Sequence, residues 1–388
     1  MARNRLIALG LFAAALAGIS LVGGPVSYGF FFFTLTVPVI SLIYTLILLF
    51  RFKIYQELET RSVVAESPVQ FYFTLQNEDL FAHAGIRTGF FTDYSTITGL
   101  DSSTVYELLP HTGVSNRTTL VCRYRGEYEI GVRTVTVMDY LRLFSITFRN
   151  PETLRVTVMP RWEVLRGVAC LEELAASARD SLITPNDPDV LVREYVPGDD
   201  IRTIHWKATA RTGQPMVRTR IGEESPGISI LMDSCRYDEA PDRYLPPENK
   251  LLETTLSLAY YYPARGIRTA VYAFDQGVCR YTLENTGSYE RFYAELARFR
   301  FRPDSTQEKL FAAADTEPAI YRGNAVILVL SAWSDAAGAM VSQLGKSAIP
   351  VLVCLVTDEA CGIPETEEGA RVHFLTIGTD ESLTEVFA

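Results

Sequence analysis

This chain has no cysteines placed to hold a metal or to form a redox pair. Its six, Cys122, Cys170, Cys235, Cys279, Cys354 and Cys361, are scattered, with no CxxC and no close Cys/His set of zinc type. They read as reduced thiols of a cytosolic compartment, most of them core residues. Positive charge is also short. Lys and Arg number 36 against 46 Asp and Glu, a net charge of −10, which argues against general nucleic-acid binding. A phosphate loop is missing too. Gly345-Lys346-Ser347 has its outline, but six residues separate Gly338 from Gly345 where such a loop needs four, and the segment leads into a strand. No nucleotide, metal or other cofactor is therefore expected.

What is present is unevenly distributed. The 388 residues suffice for two compact domains and an anchor. Leu6–Val22 is an uncharged apolar run preceded by Arg3 and Arg5, and Phe30–Phe50 is a second, followed by Arg51 and Lys53. Each approaches the roughly 20 residues that span a bilayer. A cleaved signal peptide would explain the first run but needs no second. A hairpin through the glycine-rich linker Gly23–Gly29 explains both. Basic residues flank only the outer ends, so both termini and the soluble domains are expected in the cytosol. Pro38 is a candidate kink in the second helix.

From about Thr60 to Pro160 the pattern is strand-like. Val69–Leu75 alternates apolar and polar residues, and Thr118–Arg123, Tyr128–Val137 and Leu154–Met159 are β-branched or aromatic runs broken by turns. A small antiparallel sandwich is expected. Asp139, at a strand end, reads as a turn or cap residue. His83 and His111 fall in loop-like contexts without clustered carboxylates.

The densest chemistry lies in Val192–Arg211, VREYVPGDDIRTIHWKATAR. Pro197-Gly198 marks a turn. Asp199 or Asp200 stands where a helix N-cap belongs, and Ile201, Ile204 and Ala208 recur at helical spacing. Gly213-Gln214-Pro215 ends the helix, and Met216–Ile221 reads as a strand. Glu194, Asp199, Asp200 and His205 together could do acid–base work. They fit better an ion-pair network in which the aspartates cap the helix and meet Arg193, Arg202 or Arg211, since no nucleophile or metal cluster accompanies them. Lys207 and Arg211, four apart, could meet an acidic partner or lipid headgroups. Exposure of Trp206 would favour a contact role.

Beyond Pro226, strands and helices alternate. Ile228–Met232, Arg268–Phe274, Ala325–Leu330, Pro350–Val356 and Val372–Ile377 read as strands, with helices at Lys250–Tyr262 and Tyr289–Arg300. A mostly parallel sheet covered by helices follows. Its first strand ends in Asp233-Ser234, at the edge where open α/β sheets place their sites.

The segment around Trp206 resembles the signature of the bacterial domain of unknown function family 58 (DUF 58), through Arg193-Glu194-Tyr195, Gly198-Asp199-Asp200, Arg202, Ile204, Trp206 and Ala210-Arg211. Arg125-Gly126-Glu127-Tyr128, Gly131 and Asp139 through Leu143-Phe144 are similar to its upstream strand and turn. The resemblance implies an α+β multidomain membrane protein. Its expected parts are a transmembrane helical hairpin (1–53), a β-sandwich-like domain (54–160), a connecting segment carrying the signature (161–224) and an α/β von Willebrand factor type A-like domain (225–388). Type A domains often bind a divalent ion through Asp-x-Ser-x-Ser. Here Asp233-Ser234-Cys235-Arg236-Tyr237 replaces both later serines, a thiol is a poor ligand for a hard cation, and Ser331 stands where a later aspartate would follow a central strand. A degenerate ion site without metal is expected. The resemblance also implies work with a MoxR-type AAA+ ATPase in assembly or maintenance of membrane or envelope complexes. The expectation is thus a non-enzymatic, multi-pass protein of the cytoplasmic (inner) membrane that contacts lipid and protein but not nucleic acid. Its rivals are a hydrolase-type enzyme centred on Glu194, Asp199, Asp200 and His205, and a metal-dependent adhesion module.

Overall fold

The computed structural model describes all residues except 52, 101–103, 167–170, 175, 177–189, 195–204, 221–226, 318–319, 322, 324, 348, 359–370 and 388. The chain divides into two units, Met1–Arg161 and Trp162–Ala388, so residues 162–224 group with the second.

The first unit opens with helices α1 (Ala2–Leu21) and α2 (Gly24–Arg51), both long and apolar enough to cross a membrane. Their outer faces are apolar and bare, with Leu6, Leu9, Phe32 and Phe33 all exposed, a surface at odds with water. The expected linker Gly23–Gly29 is much shorter. Gly23 and Gly24 both take positive φ and reverse the chain, and Pro25 fits a helix start because the N–H it lacks would have no partner there. The seven residues expected as loop thus mostly join α2.

The last turns of α2 run into a β-unit. One sheet has the order β1 (Lys53–Leu58), β3 (Pro68–Gln76), β7 (Gly113–Cys122), β5 (Ser95–Ile97), all antiparallel. A second runs β10 (Ser145–Arg149), β9 (Val132–Met138), β4 (His83–Phe90), β6 (Val105–Leu108), also antiparallel. A small third sheet joins β2 (Ser62–Val64), β11 (Leu154–Met159) and β8 (Gly126–Ile130), with β2 parallel to β11. The sheets share one core. Alternation along β3 drives Phe71, Phe73 and Leu75 inward against Ile86, Leu120, Val135 and Val137, each worth roughly 1.5–3 kcal/mol of burial. Leu48 of α2 belongs to the same core. Gly131 takes φ +85, and a Cβ there would strike Gln56, whose Oε1 accepts the Val132 N–H at 2.7 Å. His83 is not in a loop. It opens β4, buried, with Nε2 3.7 Å from Asp79.

In the second unit, β12 (Val190–Glu194) pairs antiparallel with β13 (Met216–Arg220). A six-stranded sheet follows in the order β16 (Val278–Leu283), β15 (Thr269–Phe274), β14 (Ile228–Met232), β17 (Ala325–Leu330), β18 (Val351–Val356), β19 (Val372–Ile377). All its neighbours are parallel except the β15–β16 pair. Helices Pro241–Tyr261 and Thr286–Leu296 cover one face, and Gln307–Asp315 and Asp335–Lys346 the other. Every residue of β14, β17 and β18 is buried, which explains their unbroken apolar runs. Helix Pro241–Tyr261 begins nine residues before the expected Lys250. Pro246-Pro247 hid its first turns, since prolines ordinarily break helices. The chain leaves β14 in one direction to β15 and in the other reaches β17, so the strand order reverses between β14 and β17. That reversal is where open α/β sheets form a crevice.

Candidate functional site

Two places merit attention: the signature helix and the β14–β17 crevice. In the signature, Arg193 lies opposite Val217 and Glu194 opposite Met216. Tyr195, Gly198, Asp199, Asp200 and Arg202 lie outside the described residues, as do Ile201 and Ile204 of the expected apolar face. The described helix is Trp206–Thr212, and its N-cap is His205, not Asp199 or Asp200. His205 Nδ1 accepts the Ala208 N–H at 3.1 Å. An imidazole nitrogen without a proton can accept such a bond, but short polar and acidic residues are the commoner caps and drew the expectation. Gly213, at φ 73, closes the helix. The Met216 N–H donates to Thr209 Oγ1 at 2.9 Å and Met216 O accepts the His205 N–H at 2.7 Å, so Met216, the first residue of β13, holds the N-cap and the middle of the helix. Trp206 is 70% exposed, and Lys207 and Arg211 are exposed on the same short helix. With its Nδ1 engaged as a cap, His205 keeps only Nε2 for any proton transfer.

The crevice is built around Asp233, at the carboxyl end of β14 and fully buried. Oδ1 accepts the Cys235 N–H at 3.0 Å. Oδ2 accepts from Tyr237 OH at 2.9 Å, Gln307 Nε2 at 2.7 Å and Ser331 Oγ at 3.1 Å. The same Gln307 nitrogen donates to Ala332 O at 2.8 Å, and Gln307 Oε1 accepts from Ser334 Oγ, which also caps helix Asp335–Lys346. Ser234 is buried and structural: its Oγ accepts the Phe274 N–H at 3.0 Å. The positive charge of Arg236 is taken up by Glu248, at 2.7 and 3.1 Å, with the guanidinium 3.8 Å above the Tyr244 ring.

Electrostatics reinforce this arrangement. Burial, then the Asp233 charge, push the Cys235 thiol up to about 11, so it stays protonated and a poor ligand at neutral pH. The same two causes, in the same order, raise the Tyr237 phenol far above its ordinary value, keeping it a donor. A cation at Asp233 would have to displace the Tyr237 hydroxyl and the Gln307 amide. The donor set therefore does not fit a resident divalent ion. Among the described residues, no group of three or more His, Cys, Asp or Glu could hold one.

Sequence reasoning had singled out Asp233, Ser234 and Cys235 and noted Ser331 and Tyr237 as departures from an ion loop. It missed Gln307, 74 residues away, because no local pattern marks a glutamine that reaches across a sheet edge. It also missed the partner of Asp139. This buried carboxylate accepts the Phe144 N–H at 2.8 Å, as a turn residue should, but also the hydroxyl of Ser41 in α2.

Residues 191–360 match the model of a family described as "Protein of unknown function DUF58", which supports assigning the chain to that family. No curated protein matches the chain. Among solved structures, trypsin-activated alpha-2-macroglobulin from Escherichia coli is 11% identical, with a TM-score of 0.22 over 39% of this chain and 9% of that one. Spo0M, a sporulation control protein from Bacillus subtilis, is also 11% identical, with a TM-score of 0.18 over 45% of this chain and 91% of that one. The chain thus spans under a tenth of the macroglobulin's length, and neither likeness is close enough to bear on fold or function.

Proposed function

We propose that this chain is a membrane-anchored interaction protein, not an enzyme. In this reading α1 and α2 form a hairpin in the cytoplasmic membrane, with Arg3, Arg5, Arg51 and Lys53 holding both outer ends on the cytosolic side. The α/β unit is a von Willebrand factor type A-like docking module whose ion position is filled by its own Tyr237 and Gln307. The family resemblance makes a MoxR-type AAA+ ATPase the partner.

The observation that carries the reading is Trp206. An indole 70% exposed, on a helix that also exposes Lys207 and Arg211, has the composition of a contact surface: aromatic and arginine side chains supply most binding energy at interfaces. Met216 of β13 holds the helix at its N-cap and its middle, so the surface is pre-organised. The test is crosslinking in cells and purification in mild detergent, comparing wild type with Trp206→Ala. Co-purification of an AAA+ ATPase with wild type, lost in a folded variant, supports the reading. An unchanged set of partners would remove this helix as the contact. Absence of any partner would favour the hydrolase reading.

A further inference from the structure

We propose that the loop end of the β-unit is itself a membrane-seating surface, lying in the headgroup layer of an anionic bilayer beside the helix hairpin. This rests on the anchoring reading above and adds a second lipid contact to it. Three loops carry exposed large apolar side chains at this end: Leu80 at 78% and Phe81 at 58%, Leu109 at 67%, and Tyr140 at 60% with Leu141 at 45%.

They are held together as one tip. Asn77 Nδ2 donates to both Phe81 O and Leu109 O at 2.9 Å. The Tyr140 hydroxyl donates to Ala82 O at 3.2 Å, and Tyr44 of α2 donates to the same carbonyl. The Tyr44 and Tyr140 rings lie 5.3 Å apart.

The tip is also tied to both helices at a defined depth. Asn4 Nδ2 donates to Leu141 O at 2.8 Å and Arg5 Nε to Leu143 O at 2.7 Å, in the first turn of α1. Ser41 donates to Asp139. From Gly24 to Ser41, α2 rises about 27 Å at 1.5 Å per residue, close to the ~30 Å of a bilayer's hydrocarbon. Beyond Ser41 one side of α2 enters the β-core through Leu48, while Ile43, Ile47 and Phe50 on the rest of that segment remain exposed. The lipid boundary therefore falls at the level of Arg5 and Ser41, where the tip is attached. On both sides of Pro38, apolar grooves of about 420 and 360 Å³ run between α1, α2 and Leu143, open to acyl chains.

Charge agrees. Arg5 and Arg142 are exposed at the tip, positioned for phosphates. Of the acids on these loops, Asp79 meets Arg51 at 2.7 Å, Glu78 meets Lys53, and Asp139 is buried with Ser41 and Phe144 as donors; Glu107 of β6 is exposed. The apolar end thus carries two exposed cations, Arg5 and Arg142, beside its large apolar side chains.

The experiment places a photoreactive benzophenone side chain at Phe81, Leu141, Leu9 or Val278 of the full chain. Each variant that melts like wild type is reconstituted in phosphatidylcholine–phosphatidylglycerol vesicles, and lipid adducts are read by intact mass. Leu9 reports the hairpin, and Val278, an exposed apolar residue of the other unit, is the control. Adducts at 9, 81 and 141 but none at 278 are expected. Adducts at 9 with none at 81 and 141 would overturn the seating surface and leave the anchor standing. No adducts at 9 would overturn both.

Discussion

Asp139 and Asp233 are both buried aspartates at strand ends, and they are satisfied in opposite ways. Asp139 takes one backbone N–H from its own turn and one hydroxyl from α2. Asp233 takes a local N–H and then donors from Tyr237, Gln307 and Ser331, gathered from the loops that follow β14 and β17 and from helix Gln307–Asp315. A buried carboxylate is tolerated only where its oxygens find donors. Where the donors come from then decides what the residue does. Asp139 fastens the β-unit to a helix, whereas Asp233 ties together the loops at the carboxyl ends of β14 and β17 and the start of helix Gln307–Asp315.

Removing each carboxylate or its donor tests that contrast. The largest effect is expected from Asp233→Ala, which removes the acceptor shared by Tyr237, Gln307 and Ser331 and leaves the buried Gln307 amide short of a partner. A loss of about 3–5 kcal/mol is expected, seen as faster amide exchange across β14 and β17 with the first unit unchanged. Ser41→Ala should cost less, about 1–2 kcal/mol, because Asp139 keeps its Phe144 donor. Exchange should then rise in 139–144 and along α2 but not in the second unit. If either variant loosens both units equally, the two aspartates are not the separate fasteners described above.

pH should separate the units more gently. Burial pushes the His83 imidazole below its ordinary value near 6.5, against the opposing pull of Asp79. The unfolded chain therefore binds the proton more tightly, and the first unit should lose stability as pH falls below about 6.5. In the second unit the Cys235 thiol moves the other way, from 9.0 up to about 11. Its contribution is full below about 9 and is lost as pH rises through about 11. Amide exchange at pH 5.5 should thus loosen the first unit, and His83→Gln should flatten that acid response; at pH 10 Cys235 loosens the second unit, and the first, whose buried Cys122 thiol is raised in the same way, loosens with it. The smallest effect is expected from Mg²⁺, which should leave the melting of wild type unmoved. A rise would show an ion displacing Tyr237 and Gln307.

Much of this was legible in the chain. Apolar runs of spanning length, period-two alternation in Val69–Leu75 and the fully apolar strands of the second unit are local patterns, and each led to the right element type. The signature was legible as a feature but not as a site. Its helix is capped by His205, and six of its named residues, Tyr195, Gly198, Asp199, Asp200, Arg202 and Ile204, lie outside the described residues. Exposure of Trp206 could not be read at all, since an aromatic at helical spacing is equally a core residue until its neighbours are known.

The sequence by itself determined which segments are apolar helix, alternating strand and buried strand, because those depend on neighbours within one or two turns. It also determined that Asp233 lacks the serines of an ion loop. Only the tertiary structure decided which donors meet Asp233, because Gln307 and Ser331 reach it across the reversal of strand order between β14 and β17. Only it decided that Asp139 holds α2, and that Leu80, Phe81, Leu109, Tyr140 and Leu141 share one end of the β-unit. Those residues are far apart in sequence, and a side chain's partner across such distances is set by sheet register and packing, which no local pattern encodes.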